Sequence, residues 1–463
     1  MILNMDPGSV AGLNKQEVQI LTKLLEIYQS HVGKNAEKDR YYEGAIRLDS
    51  VNLGIALPHG MRGLEIGCGW GAKAVDVLAA RSMFDGFVGE NGESIDLLTE
   101  IVAQNRLIAE YQKGCRDELK YGCTFVTLSR DGNSCRIRFH SPQTAAAMWD
   151  GEKGRISCGF AVIDTAPDNE DSQLWVPSLV NLYLENQVIV MRRHANGWTS
   201  ERYPHKMGRP LMEPLIYNAT SSKPFGRSRI KEPVRRLIQG YVRTIANATI
   251  GLEFSTSPQK YLLGITDEQY DAVISQKFKQ YVGSLIAATN NPETGEKPSF
   301  GQLPQGSITP HVEMLRILAS QFSAQTGLTV TDTGVVNDAN PTSSDAILAQ
   351  SQTLVSMAEQ LNAGNGDSLR TIAMMALAIA QNLTMDELPE DQRAVIAHFR
   401  NPAMPNVAVT ADAAIKIASA REGFAQTDTF LEMIGFTQAD IRRIKAQEAM
   451  VPEKPAPEAA DGE

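Results

Sequence analysis

Apolar residues near the beginning of the chain recur at helical spacing. Over residues 15–30 they fall on one side, which predicts an amphipathic helix there. The residues on this face are Val18, Leu21, Leu24, Leu25 and Tyr28. The same spacing predicts a long helix over 94–121 that ends at Gly122, because glycine readily takes the left-handed conformation that terminates helices.

A different pattern begins at Cys123 and continues to about Tyr217. Runs such as CTFVTLS, GFAVID and QVIVMRRH alternate apolar and polar residues, and short turns such as RDGN separate them. An alternation with a period of two predicts half-buried strands. Because the intervening turns are short, we expect these strands to pair in antiparallel fashion.

Helical spacing returns after Gly226. We predict helices over 227–250, 309–326, 343–362 and 368–382, with a short break at AGNGD between the last two. KYLLGI predicts a strand, DEQYDAVISQKFKQYVGSLI predicts a short helix, and helical patterns continue to Ala449. The tail at 451–463 is rich in Pro, Ala and Glu, which predicts disorder. The whole pattern predicts an α+β fold that is mainly helical.

Composition narrows the class of protein. The chain has 463 residues, of which 43% are hydrophobic and 21% charged; this is ordinary for globular proteins and enough for about three domains. Collagen-like, wholly disordered and disulfide-stapled chains are excluded. The net charge of −10 excludes an overall electrostatic preference for DNA or for an anionic membrane, although a local basic patch is still allowed.

The cysteines and the apolar runs indicate where the protein is made. Five cysteines without a CxxC pair favour reduced thiols and synthesis in the cytosol. The histidines are scattered, so we expect no metal site. No signal peptide opens the sequence, and the longest apolar run, at 372–380, is far shorter than the ~20 residues of a membrane span. We therefore expect a soluble protein with no membrane partner.

One glycine-rich motif suggests an enzyme. LEIGCGWG, with Glu65, Gly67, Gly69 and Gly71, resembles the first motif of class I S-adenosylmethionine-dependent methyltransferases, and FVGEN could follow it as a second strand ending in a ribose-binding acid. The strand–helix alternation that should follow such a motif is missing from the pattern. The alternative, which we favour, is a glycine-rich turn before an amphipathic helix over 72–82. No other catalytic motif is present, so we expect no catalysis and no cofactor.

Four further segments form a second resemblance. They are RYYEGAIRL (40–48), LAARSMFDGF (78–87), KPFGRSRIKEPVRRLIQGYVRTIANATIGLEFSTSPQKYLLGI (223–265) and TGLTVTDTGVVNDANPTSSDAILAQSQTL (326–354). In this order they resemble the portal proteins of tailed bacteriophages, over about residues 15–385. LEIGCGWG departs from the family, and the region after Asn382 has no counterpart among these motifs.

The resemblance implies a ring, usually of twelve subunits, at one vertex of the capsid. Double-stranded DNA would pass through its axial channel without sequence specificity, driven by a separate terminase ATPase. The implied partners are the terminase large subunit, the head–tail adaptor, and the major capsid and scaffolding proteins. The protein would be made in the host bacterial cytoplasm and would end in the virion.

The resemblance further implies wing, stem, clip and crown regions in each subunit. We map the wing to 1–226 and 343–385, the stem to 227–250 and 309–327, the clip to 251–308, the tunnel loop to 328–342 and the crown to 386–450. The tunnel loop would face the DNA.

The segment 221–250 is basic, with seven cationic residues, one acid and a net charge of +6. Arg229, Arg236 and Arg243 recur every seven residues, opposite an apolar face, so on a straight helix they would form one nearly axial line. A solvated basic face is one interpretation. A stack of arginine rings that meets phosphates is the other, and a nucleic-acid-binding module built on this helix is a third possibility.

The loop 328–342 has no Lys or Arg. Its candidate DNA-channel residues are Asp332, Asn337, Asp338 and Asn340. A loop with these side chains would contact DNA weakly, which suits a channel through which DNA must slide, because each strong phosphate contact raises the barrier to movement. The alternative is an ordinary, unusually long surface loop.

Overall fold

The computed structural model describes residues 5–47, 65–90, 92–168, 175–256, 260–264, 295, 297, 299–302, 307–335, 344–403, 407–421 and 423–448. Within them the chain combines helices with antiparallel sheets, so the predicted α+β fold is confirmed. The short helix predicted after KYLLGI and the tail at 451–463 lie outside the described residues.

Helices occupy both ends of the chain and strands its middle. The helices are α1 Lys15–Glu43, α2 Trp70–Ala79, α3 Asp96–Gln104, α4 Leu107–Tyr121, α5 Glu232–Thr256, α6 Thr309–Thr326, α7 Ser344–Gln381, α8 Glu390–Arg393, α9 Val407–Ala420, α10 Asp428–Ile434 and α11 Gln438–Glu448. The strands are β1 Val10–Ala11, β2 Ala45–Arg47, β3 Glu65–Gly67, β4 Phe84–Val88, β5 Cys123–Asp131, β6 Ser134–His140, β7 Ala145–Asp150, β8 Arg155–Pro167, β9 Trp175–Tyr183, β10 Gln187–His194, β11 Gly197–Pro204, β12 Met212–Ile216, β13 Lys260–Leu263, β14 Ser299–Gln302 and β15 Ile396–Phe399.

Helix α1 packs on a six-stranded sheet. It begins with a capping box, in which the side chains of Asn14 and Glu17 each accept from the other's backbone N–H, and it ends at Gly44 in the left-handed conformation. It is longer than predicted, but its apolar face is the predicted one: Leu21, Leu24 and Leu25 are buried among residues of the sheet. The strand order of this sheet is β1-β11-β10-β9-β8-β7.

The strands between Cys123 and Ile216 confirm the prediction from the alternating pattern. Sequential strands pair in antiparallel fashion throughout both main sheets. The second of these sheets has the order β12-β5-β6 and packs against α4 and α7. Strand β5 is buried on both faces in its first part, and its residues Phe125, Val126 and Leu128 belong to the main hydrophobic core.

The predicted helix over 94–121 is wrong as a single element, since α3 and α4 are separated by Arg106 in the left-handed conformation. The cause is Asn105. Its side-chain amide donates to the carbonyls of Ile101 and Cys135, and its side-chain oxygen accepts from the backbone N–H of Ile137. These bonds tie the chain to strand β6, and the helix restarts beyond them.

The predicted break at AGNGD is also wrong, because α7 is one continuous helix of 38 residues. Its glycines lie between Leu361 and Leu369, which are both buried in the main core. Asn365, between the glycines, is buried and donates to Glu118 and Tyr111 of α4. Tertiary contacts on both sides therefore outweigh the low helix propensity of glycine.

Helices α5 and α6 pack against each other, and Gly240 of α5 leaves room for the side chain of Leu318. Helix α6 has the predicted bounds, whereas α5 begins at Glu232, five residues later than predicted. Strand β13 confirms the strand predicted from KYLLGI, and it pairs with β14.

The region predicted as a crown shares its first part with the main core. Strand β15 pairs with β4 in antiparallel fashion, and Phe399 packs on the rings of Phe84 and Tyr111. Strand β15, which lies within the predicted crown at 386–450, therefore belongs to the main core. None of the helices in the described part of the chain has a stretch long and apolar enough to cross a bilayer.

Candidate nucleic-acid interface

Four elements singled out by the sequence meet at one place: helices α5 and α6, the turn at 328–335 that follows α6, and helix α2. Helix α5 buries the face that its spacing predicted, with Val234, Ile238 and Val242 in the main core. The opposite face of α5 is exposed, which leaves it accessible to a ligand.

The structure corrects the arginine line at Arg229. This residue lies before α5 and is only 4% exposed. Its guanidinium donates to the carbonyls of Ala74 and Thr326, the latter at 2.6 Å, and to the hydroxyl of Tyr217 at 3.0 Å. Because Thr326 is the last residue of α6, the cation satisfies a free carbonyl at a helix C-terminus. Arg229 joins α2 to α6 and is not available to DNA.

The other two arginines lie on the exposed face of α5. Arg236 forms an ion pair with Glu232 at 2.8 Å, one helical turn before it, and its side chain is 72% exposed. Arg243 follows two turns later and is also exposed. The predicted line of three residues is therefore a pair, and Arg236 is ion-paired with an acid on its own helix.

The described part of the predicted tunnel loop is a structured turn. Val330–Thr333 form a 3₁₀ turn that opens with a capping box, in which the carboxylate of Asp332 accepts from the N–H and the hydroxyl of Thr329. Asp332 is half-buried and engaged within the turn, which leaves less of its charge to repel a phosphate. Asn337, Asp338 and Asn340 lie outside the described residues.

The glycine-rich motif supports this turn. Trp70, inside LEIGCGWG, donates its indole N–H to the carbonyl of Thr333 at 3.0 Å. Its ring lies 4.8 Å from those of Tyr241 on α5 and Phe322 on α6. Sequence reasoning missed Trp70, although a Trp within a glycine-rich turn is a signal for a packing site.

The methyltransferase interpretation is wrong. Strand β3 pairs with β2 in antiparallel fashion, and β4 pairs with β15 in the same way, so the described strands around the motif do not build the parallel sheet of that fold. A Cβ at Gly71 would collide with the backbone carbonyl of Tyr41, which shows that this glycine serves the close approach of α2 to α1.

Exposed apolar side chains mark the far ends of α5 and α6, a feature that the sequence analysis did not anticipate. Val312, Met314 and Ile317 on α6 are 42%, 44% and 52% exposed. The same is true of Leu252 on α5, and of Leu263 and Phe300 on the β13–β14 hairpin. Large apolar side chains concentrated in this way are typical of surfaces that contact other proteins.

The described residues offer nothing that would hold a metal ion, since no three of their His, Cys, Asp or Glu side chains come together. The five cysteines are buried free thiols, and burial raises the pKa of Cys68 to about 11 and that of Cys123 to about 12. Burial holds these thiols in the neutral form, which is unreactive toward electrophiles.

Comparison with known proteins gives a consistent result. The profile of the family described as "Phage portal protein, SPP1 Gp6-like" matches residues 21–454. The portal protein of Mycobacterium phage D29 is 25% identical over 426 residues, which cover 88% of this chain and 84% of that protein. The portal protein of Mycobacterium phage L5 is 25% identical over 431 residues, covering 89% and 85%.

Solved structures also show similarity. A chain from the virion of a native gene transfer agent particle has a TM-score of 0.44 and 11% identity, and the match covers 79% of this chain and 89% of that one. A chain from the neck of a native particle of this kind, computed with C12 symmetry, has a TM-score of 0.45 over the same shares.

Proposed function

Because the chain belongs to the family of SPP1 Gp6-like phage portal proteins, we propose that it assembles into a ring, usually of twelve copies, at one capsid vertex. DNA passes through the axial channel of this ring during packaging and ejection. The ring contains no catalytic site of its own, and the terminase large subunit supplies the energy for movement.

The observation that supports assembly most directly is the exposed apolar surface on α5, α6 and the β13–β14 hairpin. A single chain leaves Val312, Met314 and Ile317 in water, which is unfavourable for large apolar side chains. Identical helices arranged around an axis would bury these side chains against each other. A closed ring satisfies every copy in the same way, since each contact is made between the same two surfaces.

Regions of the subunit are assigned to roles on this basis. We assign α5 and α6 to the stem, the segment between them to the clip, the N-terminal part together with α7 to the wing, and the helices from α9 onward to the crown. The terminase and the head–tail adaptor contact the clip in this proposal. The major capsid and scaffolding proteins contact the wing.

DNA contacts are weak in this proposal. Arg236 and Arg243 are the cationic side chains of the exposed face of α5, and Arg236 is already paired with Glu232. If that face lines the channel, each pair of arginines repeats in every subunit, so weak phosphate contacts add up around the ring without fixing the DNA at one position.

A size measurement tests assembly. Gel filtration with light scattering should give the mass of a ring of about twelve chains, and electron micrographs should show end-on rings. Ile317→Asp should shift the protein toward the mass of one chain, because it places a charge in the proposed contact. Ser320→Asp is the matched control, since Ser320 is exposed on the same helix. A wild-type protein with the mass of a single chain would contradict the proposal.

A further inference from the structure

A pocket of about 530 Å³ lies beside the beginning of α5. It is bounded by the second half of α1, by residues 223–231, and by strands β5 and β7. Most of the cationic residues that the sequence analysis found in the segment 221–250 are here, and not on a helical stripe. The proposed ring contact and DNA path do not use this surface.

The rim of the pocket is strongly cationic. Its charged residues are Lys34, Lys38, Lys223, Arg227, Lys231 and Arg235, and among the described residues that line it none is Asp or Glu. The nearby acids are engaged: Glu232 pairs with Arg235 at 2.5 Å, Glu37 lies 3.7 Å from the same guanidinium, and Asp39 pairs with Lys120. Four cations of the rim, Lys34, Lys223, Arg227 and Lys231, are left to attract a ligand.

This crowding of like charges affects the groups between them. Burial lowers the pKa of Lys38. The charges of Arg235 and Lys34 act in the same direction, whereas Cys123 and Asp39 act in the opposite direction. Burial likewise lowers the pKa of His31, as do Lys34 and Lys38. An anion in the pocket would reduce the repulsion between these cationic side chains. The arrangement of the cations therefore favours anion binding.

The floor of the pocket is apolar and aliphatic. It includes Ile27, Pro142 and the three alanines Ala145–Ala147. The aromatic rings nearby are already engaged. Tyr28 packs edge-on against Phe160, and Phe225 packs edge-on against Phe125 and Trp149. The ammonium group of Lys120 lies 4.7 Å from the centre of the Tyr121 ring. A nucleobase would need an open aromatic face for stacking, and a bare phosphate would leave the floor unfilled.

We propose that this pocket binds an acidic segment of a partner polypeptide. An aliphatic side chain of the segment lies on the floor, and flanking carboxylates lie against the cationic rim. The volume of the pocket accommodates one such side chain with its neighbours, and the positive charge of the rim favours acidic flanking residues. The ring contact places its apolar residues on α5 and α6 instead, so this is a second and separate binding surface.

Binding of short labelled peptides to the full-length protein tests the proposal. The probes are fluorescein-labelled Glu-Glu-Leu-Glu-Glu, the same peptide with Gly for Leu, and Gln-Gln-Leu-Gln-Gln, with fluorescence anisotropy as the measurement at low salt. We expect the first peptide to bind, and the Gly and Gln peptides to bind about tenfold more weakly, because each lacks one of the two contacts.

Two matched double variants locate the site. Lys34→Gln with Lys223→Gln removes two exposed cations of the rim, and Lys15→Gln with Lys23→Gln removes two exposed cations elsewhere on α1. We expect the first pair to weaken binding about fivefold or more and the second to change it less than about twofold. Melting curves check that both variants remain folded.

Several outcomes would overturn the proposal. Equal losses in the two variants would mean that the overall field attracts the peptide, and equal binding of the Leu and Gly peptides would mean that the floor is not used. Competition by inorganic phosphate or a short oligothymidine as strong as by the unlabelled peptide would assign the pocket to phosphate. Failure of the first peptide to bind would mean that the pocket is closed, for example by a neighbouring copy.

Discussion

Two regions of the molecule differ in the exposure of their apolar side chains. The first is the core around α4 and α7, and the second is the far half of the α5–α6 pair. In the first region Leu354, Leu369 and Ile372 are at most 2% exposed, whereas in the second Met314 and Ile317 are about half in water. The first region completes its packing within one chain. In the second region, large apolar side chains are left exposed by the described residues. This pattern is expected where further copies of the chain cover such side chains.

The largest effect should come from a charge placed in the complete region. Leu354→Asp should lower the free energy of unfolding by about 4 kcal/mol, because an unpaired carboxylate replaces a buried side chain. Gln352→Asp, at an exposed position of the same helix, should be nearly neutral. Urea denaturation measures both. Equal stability of the two variants would show that α7 is not packed as described.

A smaller effect should follow from Arg229→Gln, at the junction between the two regions. The change leaves the buried carbonyls of Ala74 and Thr326 without their donor, so we expect a loss of about 2 kcal/mol or more in the free energy of unfolding. Arg236→Gln is the control, and its cost should stay within about 0.5 kcal/mol because that side chain is exposed. Similar losses for both variants would contradict the buried role of Arg229.

The complete region also contains a buried acid that should make its stability depend on pH. Burial raises the pKa of Glu118 to about 8, while the side chain of Asn365 donates to one of its oxygens at 2.8 Å. The folded protein therefore holds a proton that the unfolded chain releases near pH 4.5. The stability that this proton gives is fully present below that pH and is lost as the pH rises toward 8.

Glu118→Gln should remove this dependence, by at most about 1.4 kcal/mol per pH unit between pH 5 and 8. Thermal melting of the variant and the wild type across this range gives the comparison. Burial also raises the pKa of Glu213, to about 7, so the variant should keep part of the wild-type slope, and only the difference between the two proteins reports on Glu118. A variant with the wild-type slope would mean that Glu118 is ionised in the folded protein.

The smallest effect on folding should come from the exposed face of α5. We expect Arg236→Gln with Arg243→Gln to leave ring assembly unchanged and stability within about 0.5 kcal/mol. DNA packaging or retention should nevertheless change, and more so at low salt, where phosphate contacts are screened least. Normal packaging at every salt concentration would show that this face is an ordinary solvated surface.

Local pattern predicted much of the fold. The apolar face of α1, the bounds of α6 and the antiparallel strands after Cys123 all follow from periodicity. The failures have long-range causes. The start of α5, the split at Asn105 and the continuity of α7 each depend on contacts with residues far away in the sequence, which periodicity does not register.

The candidate site was harder to predict for the same reason. Arg229, Arg236 and Arg243 have identical spacing in the sequence, and only the tertiary structure separates the buried one from the exposed pair. The sequence also does not show whether the apolar face of a helix is covered by the same chain or by another copy. The glycine-rich motif resembled a cofactor loop because cofactor binding and tight helix packing both need a close approach of the backbone. The antiparallel pairing of β3 with β2 distinguishes the two in this structure.

The continuity of α7 has a mechanical consequence. A straight helix of 38 residues is about 57 Å long, and its midpoint lies close to Asn365, where the contact with Glu118 holds it in the core. If the rod tilted around this point, it would act as a lever whose fulcrum lies inside the protein. A tilt of about 5° around this point displaces each end by about 2.5 Å in opposite directions. We therefore expect a displacement of Ser344, the first residue of α7, to be coupled to an opposite displacement of Gln381, its last residue.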